Sequence, residues 1–217
     1  MPPIPAKLWK LDESTVGEHF SLSETDQCYY IWEYTAGKDF SFSPTNQLIK
    51  NLKIKPSDIA KSPTRNYYKQ QAISHAATAL RSVLNQRLVG TSATFVPVPG
   101  SKAAADPDYD DRMQVVLNRA FQGWAADIRP ILRMTQSFAA DHETTDRVTY
   151  EELLANAELL TTATNARPFI IVVDDVLTSG KHFKVAQTLL SKRFPESQII
   201  GLFLARCIHD EPPAVTT

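Results

Sequence analysis

The pattern of apolar and polar residues predicts strands that alternate with helices from about residue 66 onward. Short apolar runs rich in β-branched and aromatic residues predict strands at 28–34, 94–98, 131–134, 169–173 and 198–204. Apolar residues spaced three and four positions apart predict helices at 67–88, 111–124, 149–160 and 181–193. This alternation predicts an α/β fold with a mostly parallel sheet, flanked by helices and connected by right-handed crossovers.

The first 65 residues predict a small N-terminal accessory region. Residues 1–27 are rich in proline and polar side chains, which is typical of irregular structure. After the strand at 28–34 we expect a second strand at Phe40–Phe42 and a short helix at Asn46–Asn51. The predicted organisation is therefore an accessory region at 1–65, a core at 66–211 and a tail at 212–217.

Composition narrows the classes of partner. The chain of 217 residues has a formal net charge of −1, which gives no electrostatic basis for binding nucleic acid or an anionic membrane. Cys28 and Cys207 are far apart and lack neighbouring metal-binding residues, so we expect buried free thiols. The sequence contains no long apolar segment, and Met1–Pro5 does not resemble a signal peptide. A cytoplasmic location is expected.

One segment joins an apolar strand, two carboxylates and a turn of small residues: IIVVDDVLTSGKH, residues 170–182. Asp174 and Asp175 follow a predicted buried parallel strand, at the carboxyl edge of the sheet, where α/β proteins bind ligands. Residues 178–181 then present successive backbone N–H groups at a helix N-terminus, which suits a phosphate. Two carboxylates beside a phosphate site fit a ribose 5-phosphate.

Three other motifs share parts of this segment, and each lacks a required residue. A Walker A loop requires glycine at position 175 and serine or threonine at position 182, where this sequence has Asp175 and His182. A phosphatase of the haloacid dehalogenase type requires a second aspartate at Val176, and the dinucleotide fingerprint requires two glycines besides Gly180. The remaining alternative is a core strand that ends in two solvated, helix-capping carboxylates.

Segment 170–182 closely resembles the phosphoribosyl pyrophosphate (PRPP) signature of type I phosphoribosyltransferases. The resemblance implies that family's fold, with the accessory region covering the base site. It implies that Asp174 and Asp175 bind the ribose hydroxyls and that the 5-phosphate is bound by Thr178, Ser179, Gly180, Lys181 and His182. His182 departs from the family, which usually has threonine there, although an imidazole also donates hydrogen bonds to phosphate.

In the loop after the strand at 94–98, two prolines bracket the strand end: Pro97–Val98–Pro99–Gly100. This loop resembles the corresponding region of the competence-associated phosphoribosyltransferases. The resemblance implies that the pyrophosphate is bound by Pro99, Gly100, Ser101 and Lys102. Arg112, at the start of the next helix, is a further candidate. An ordinary Pro-Gly turn and a solvated or ion-paired arginine stay open as alternatives.

The polar connection at 137–147 occupies the place of a mobile loop that closes over the substrate in this family. Its cations are His142 and Arg147, and we prefer Arg147 as the contact for the charge that develops on the pyrophosphate. A solvated loop is the alternative reading of both residues.

The resemblance implies displacement of pyrophosphate from PRPP by a nitrogen base, with Asp174, Asp175 and Arg147 as catalytic residues. Mg²⁺ is the expected cofactor, held by substrate oxygens and water, with Asp174 and Asp175 contacting it through water rather than as a protein-only site. Two other functions stay open, a regulatory protein that binds PRPP or a nucleotide without turnover and a hydrolase of a ribose-phosphate substrate. We expect a small-molecule substrate and no nucleic-acid or membrane partner, and we leave a homodimer open.

Overall fold

The computed structural model describes residues 1–138, 148–160 and 165–209, and in these ranges it contains two sheets. The strands are β1 (Trp9–Lys10), β2 (Cys28–Thr35), β3 (Ala93–Pro97), β4 (Asp127–Ile128), β5 (Leu132–Met134), β6 (Ala157–Leu159), β7 (Phe169–Leu177) and β8 (Gln198–Ile208). The larger sheet has six strands in the order β1-β2-β8-β7-β3-β4. Its strands are parallel except for the antiparallel pair β1–β2. Strands β5 and β6 form the second, antiparallel sheet.

Helices cover both faces of the large sheet. They are α1 (Glu13–Val16), α2 (Pro44–Leu52), α3 (Pro56–Lys61), α4 (Thr64–Val83), α5 (Gln86–Thr91), α6 (Arg112–Ala120), α7 (Tyr150–Asn156) and α8 (Lys181–Arg193). The apolar sides of α2, α4, α5 and α6 share one core with the sheet, whereas α8 and the small sheet share a core on the opposite face. This arrangement confirms the predicted α/β class with a mostly parallel sheet flanked by helices.

Strand β7 is central to both cores because its side chains alternate between the two faces. Ile171 and Val173 pack beside the helices α4 and α6, and Ile170 and Val172 pack beside α8. All four are buried, and burial of each such side chain stabilises the fold by roughly 1.5–3 kcal/mol. The run of apolar residues before the two aspartates therefore has the two-sided burial expected of a parallel strand.

The accessory region that the sequence predicts contributes directly to this core. Strand β2 pairs with β8 along its length, and the apolar side of α2 packs in the same cluster as α4. Residues 1–27, expected to be irregular, contain β1 and α1. The free thiols of Cys28 and Cys207 are buried, as predicted. None of the helices in the described ranges is long and apolar enough to cross a membrane.

Several predicted boundaries are wrong. The helix expected at 149–160 ends at Asn156, because Ala157–Leu159 pairs with β5 instead. Phe40–Phe42 is not a strand; it lies in a turn in which the Asp39 carboxylate accepts the N–H of Ser41. The helix expected at 67–88 is split between α4 and α5, where the side chain of Asn85 caps α5. The helix expected at 111–124 ends at Ala120.

The close packing around β8 predicts that Gly201→Ala destabilises the protein. A Cβ at this position would lie 2.8 Å from the Phe203 ring and 2.9 Å from the Cys28 sulfur. Overpacking of this kind costs about 1–3 kcal/mol, and urea unfolding followed by circular dichroism measures it. Gly17→Ala is the matched control, because a Cβ there meets no atom within 4 Å. Equal stability of the two variants would contradict the packing described here.

Candidate functional site

The site lies at the carboxyl edge of the large sheet, where the loops after β3 and β7 are neighbours. The two strands are parallel and directly paired, with Val96 opposite Val172. Both strands therefore end at the same edge of the sheet, and the predicted pyrophosphate loop lies beside the predicted phosphate loop. Ligands of open α/β sheets bind at this position.

The loop at 178–180, which we call the phosphate loop, leads directly into the 13-residue helix α8. Gly180 has φ of +88°, a conformation that glycine adopts without the penalty that a Cβ brings. Among the described residues, the backbone N–H groups of Ser179 and Gly180 have no hydrogen-bond acceptor. Free N–H donors at the positive end of a helix form a site suited to an anion.

The opposite side of the phosphate loop is held by the N-terminal segment 19–22. The Ser21 N–H donates to the Ser179 carbonyl at 2.9 Å, and Nδ1 of the fully buried His19 contacts the Thr178 carbonyl. Leu22 packs so closely on Gly180 that its Cγ lies 2.6 Å from the place a Cβ would take. These contacts engage carbonyl oxygens and Cα, so the loop is fixed while its N–H groups stay available.

Asp175 is buried and bound by two cations. Its Oδ2 accepts hydrogen bonds from Nε and Nη2 of Arg112 at 2.8 and 2.6 Å, and its Oδ1 lies 3.0 Å from Nζ of Lys53. Burial alone would raise the pKa of Asp175, but Arg112 and then Lys53 outweigh it and hold that pKa well below its ordinary value. Asp175 therefore stays ionised at neutral pH.

Asp174 has a different environment although it is the adjacent residue. It is partly exposed, and its Oδ1 accepts the backbone N–H of Asp175 at 2.8 Å. No cation forms a salt bridge with it in the described part of the chain. Burial, followed by repulsion from the Asp175 carboxylate, raises the pKa of Asp174 to about 7. Asp174 is thus the member of the pair that can accept a bond from a ligand.

Arg112 connects this acid pair to the loop after β3. Its Nη1 lies 3.7 Å from the position of a Cβ on Gly100 and 3.2 Å from Oδ2 of Asp110. The same Asp110 oxygen accepts from Nζ of the buried Lys69 at 2.7 Å. The predicted candidate Arg112 therefore lies between Asp175 and the loop after β3. It is also ion-paired, as the alternative interpretation of this residue has it.

The remaining predicted residues lie around this centre with varied contacts. Nζ of Lys181 donates to the Val148 carbonyl, and His182 lines an apolar cleft with Pro99. The Ser101 carbonyl accepts the Phe138 N–H at 2.8 Å. Lys102 follows on the same loop and is partly buried, Thr178 is exposed, and His142 and Arg147 lie outside the described residues.

Sequence reasoning missed Lys53 and the segment 19–22. Lys53 follows α2, and His19 lies 159 positions before the carbonyl that it contacts. Neither belongs to a recognisable motif, because a lone lysine or histidine has the same local pattern whether it faces solvent or a site. The pairing of β2 with β8 and the packing of α2 in the core with α4 bring this part of the chain to the site.

The described residues contain no cluster of three or more histidine, cysteine or acidic side chains able to hold a metal ion. The available oxygen of Asp174 suits an ion that is held mainly by a ligand's own oxygens and by water.

No protein-family model matches the chain, and no curated protein sequence matches it.

The raised pKa of Asp174 predicts that Asp174→Asn stabilises the protein at alkaline pH. The folded-state pKa of about 7 exceeds the ordinary value of 3.8, so the favourable contribution of the protonated acid is present below pH 3.8 and is lost as pH rises through 7. Asparagine does not ionise. At pH 8 the variant should be more stable by on the order of 1–3 kcal/mol, and at pH 4.5 the two proteins should differ little. Urea unfolding at both pH values measures this, and a constant difference would contradict it.

Proposed function

We propose that the protein is a Mg²⁺-dependent phosphoribosyltransferase, which displaces pyrophosphate from PRPP with a nitrogen base. One observation carries the proposal: the N–H groups of Ser179 and Gly180, which have no hydrogen-bond acceptor among the described residues, follow the partly exposed acid Asp174 at the edge of a parallel sheet. This is the pair of features that a ribose 5-phosphate requires. The type I phosphoribosyltransferase signature at 170–182 supports the same ligand.

The transition state of this reaction resembles an oxocarbenium ion, so the protein needs no covalent nucleophile. Its role is to position the substrate and to stabilise the charge that develops on the leaving group. The phosphate loop holds the 5-phosphate, and Asp174 accepts from a ribose hydroxyl. Arg112, beside Gly100, offers positive charge where pyrophosphate would leave. Mg²⁺, when bound with the substrate, neutralises the leaving group. Asp174 fits as an acceptor for water on that ion.

One experiment distinguishes a transferase from a hydrolase and from a regulatory protein. The protein is incubated with PRPP, Mg²⁺ and each of a panel of nucleobases, and released pyrophosphate is measured. We expect release with one or a few bases and none without a base. Release without any base would identify a hydrolase, binding of PRPP without release would identify a regulatory protein, and absence of PRPP binding would overturn the proposed site.

Asp174→Asn should weaken binding of ribose 5-phosphate about 10- to 100-fold, because a hydrogen bond to a charged acceptor contributes roughly 1.5–3 kcal/mol. In the wild type this affinity should increase as pH rises from 6 to 8, since the Asp174 carboxylate ionises with a pKa of about 7. In the variant that increase should shrink to the part caused by the ligand's own phosphate. Isothermal titration calorimetry measures both.

Asp12→Asn is the control, because Asp12 caps α1 from an exposed position and asparagine caps a helix equally well. Equal affinity of Asp174→Asn and Asp12→Asn for ribose 5-phosphate would rule out Asp174 as a ligand contact.

A further inference from the structure

The two adjacent acids differ in their partners. Both oxygens of Asp175 are occupied, Oδ2 by Arg112 and Oδ1 by Lys53, and the residue is 3% exposed. Three charged donors and near-complete burial leave this carboxylate little capacity for sugar hydroxyls. Asp174 keeps accessible surface and forms no salt bridge in the part of the chain that the structure describes. The pair therefore cannot act as two equivalent acceptors.

The two cations on Asp175 come from different parts of the chain and meet at one carboxylate. Arg112 begins α6, and Lys53 directly follows α2 in the N-terminal region. The Lys53 side chain is 40% exposed, whereas that of Arg112 is 16% exposed. Both charged groups contact the same acid, so they lie close enough to reach one pyrophosphate group.

Asp175 belongs to a wider cluster of salt-bridged side chains. Asp175 and Asp110 are its carboxylates, and its cations are Lys53, Lys69 and Arg112. The adjacent Asp174 acts electrostatically on Arg112 and balances the third cation when it is ionised. Arg112 lies beside Gly100, which has no side chain to separate the two. Lys53 and Arg112, held at one point, attract a polyanion more strongly than a neutral sugar.

We propose that the two acids serve different parts of the ligand: Asp174 binds the ribose hydroxyls, and Asp175 is a positioning residue that holds Lys53 and Arg112 for the pyrophosphate. This inference rests on the proposed function. It departs from the equal roles that the family resemblance implies for the pair, and it gives Lys53 of the N-terminal region a direct contact with the leaving group.

The test compares two ligands that each represent half of PRPP, ribose 5-phosphate and Mg²⁺–pyrophosphate, by calorimetry on the full chain. Asp174→Asn should weaken ribose 5-phosphate binding at least 10-fold and change pyrophosphate binding less than about 3-fold. Asp175→Asn should weaken pyrophosphate binding and leave ribose 5-phosphate binding nearly unchanged, because Lys53 and Arg112 lose the acid that orients them. A loss of ribose 5-phosphate binding in Asp175→Asn equal to that in Asp174→Asn would overturn the division of roles.

Lys53→Met provides a second readout that does not alter a buried charge, since the Lys53 side chain is 40% exposed. We expect pyrophosphate affinity to decrease about 10-fold with ribose 5-phosphate affinity unchanged, and Lys53→Arg to restore most of the loss. Lys50→Met, three residues earlier on α2 and exposed, is the matched control and should behave as wild type. Unchanged pyrophosphate affinity in Lys53→Met would overturn the role of Lys53.

The outcomes also separate this inference from the proposed function. A wild-type protein that binds neither ligand would refute the phosphoribosyltransferase proposal itself. A wild-type protein that binds both, with variants that lose both ligands together, would refute only the division between Asp174 and Asp175.

Discussion

The buried ion pair between Asp175 and Arg112 is the interaction on which the arrangement of the site depends. It joins β7 to α6, and Lys53 adds the end of α2 to the same carboxylate. Removing one partner of such a pair typically destabilises a protein by about 3–5 kcal/mol, because the other charge stays buried without compensation. The three elements that border the site are therefore held together by the same charges that give it its electrostatic character.

The sequence predicts the local features of the fold and of the site well. The apolar run before Asp174 is a buried strand, and the turn of small residues after it opens a helix, because both depend on residues adjacent in the chain. The end of the helix at Asn156 could not be predicted in this way. Residues 157–159 leave the helix to pair with β5, a strand more than 20 positions earlier, and helical periodicity contains no information about that partner.

The same distinction applies to the residues of the candidate site. Arg112 was predictable because it begins the helix that follows the loop after β3. Lys53 and His19 were not, since each reaches the site across more than 100 residues of chain, through the pairing of β2 and β8. Their contributions come from tertiary structure alone, and α2 and the segment 19–22 are as much a part of the site as the loops of the core.

The contacts of residues 19–22 have a consequence for how the protein is made. During synthesis this segment leaves the ribosome about 160 residues before the loop that it contacts, so the Leu22 side chain stays without its partner Gly180 until then. Strand β8, which carries β2 into the sheet, is translated later still. The phosphate loop can thus gain its contacts with residues 19–22 only after nearly the whole chain has emerged.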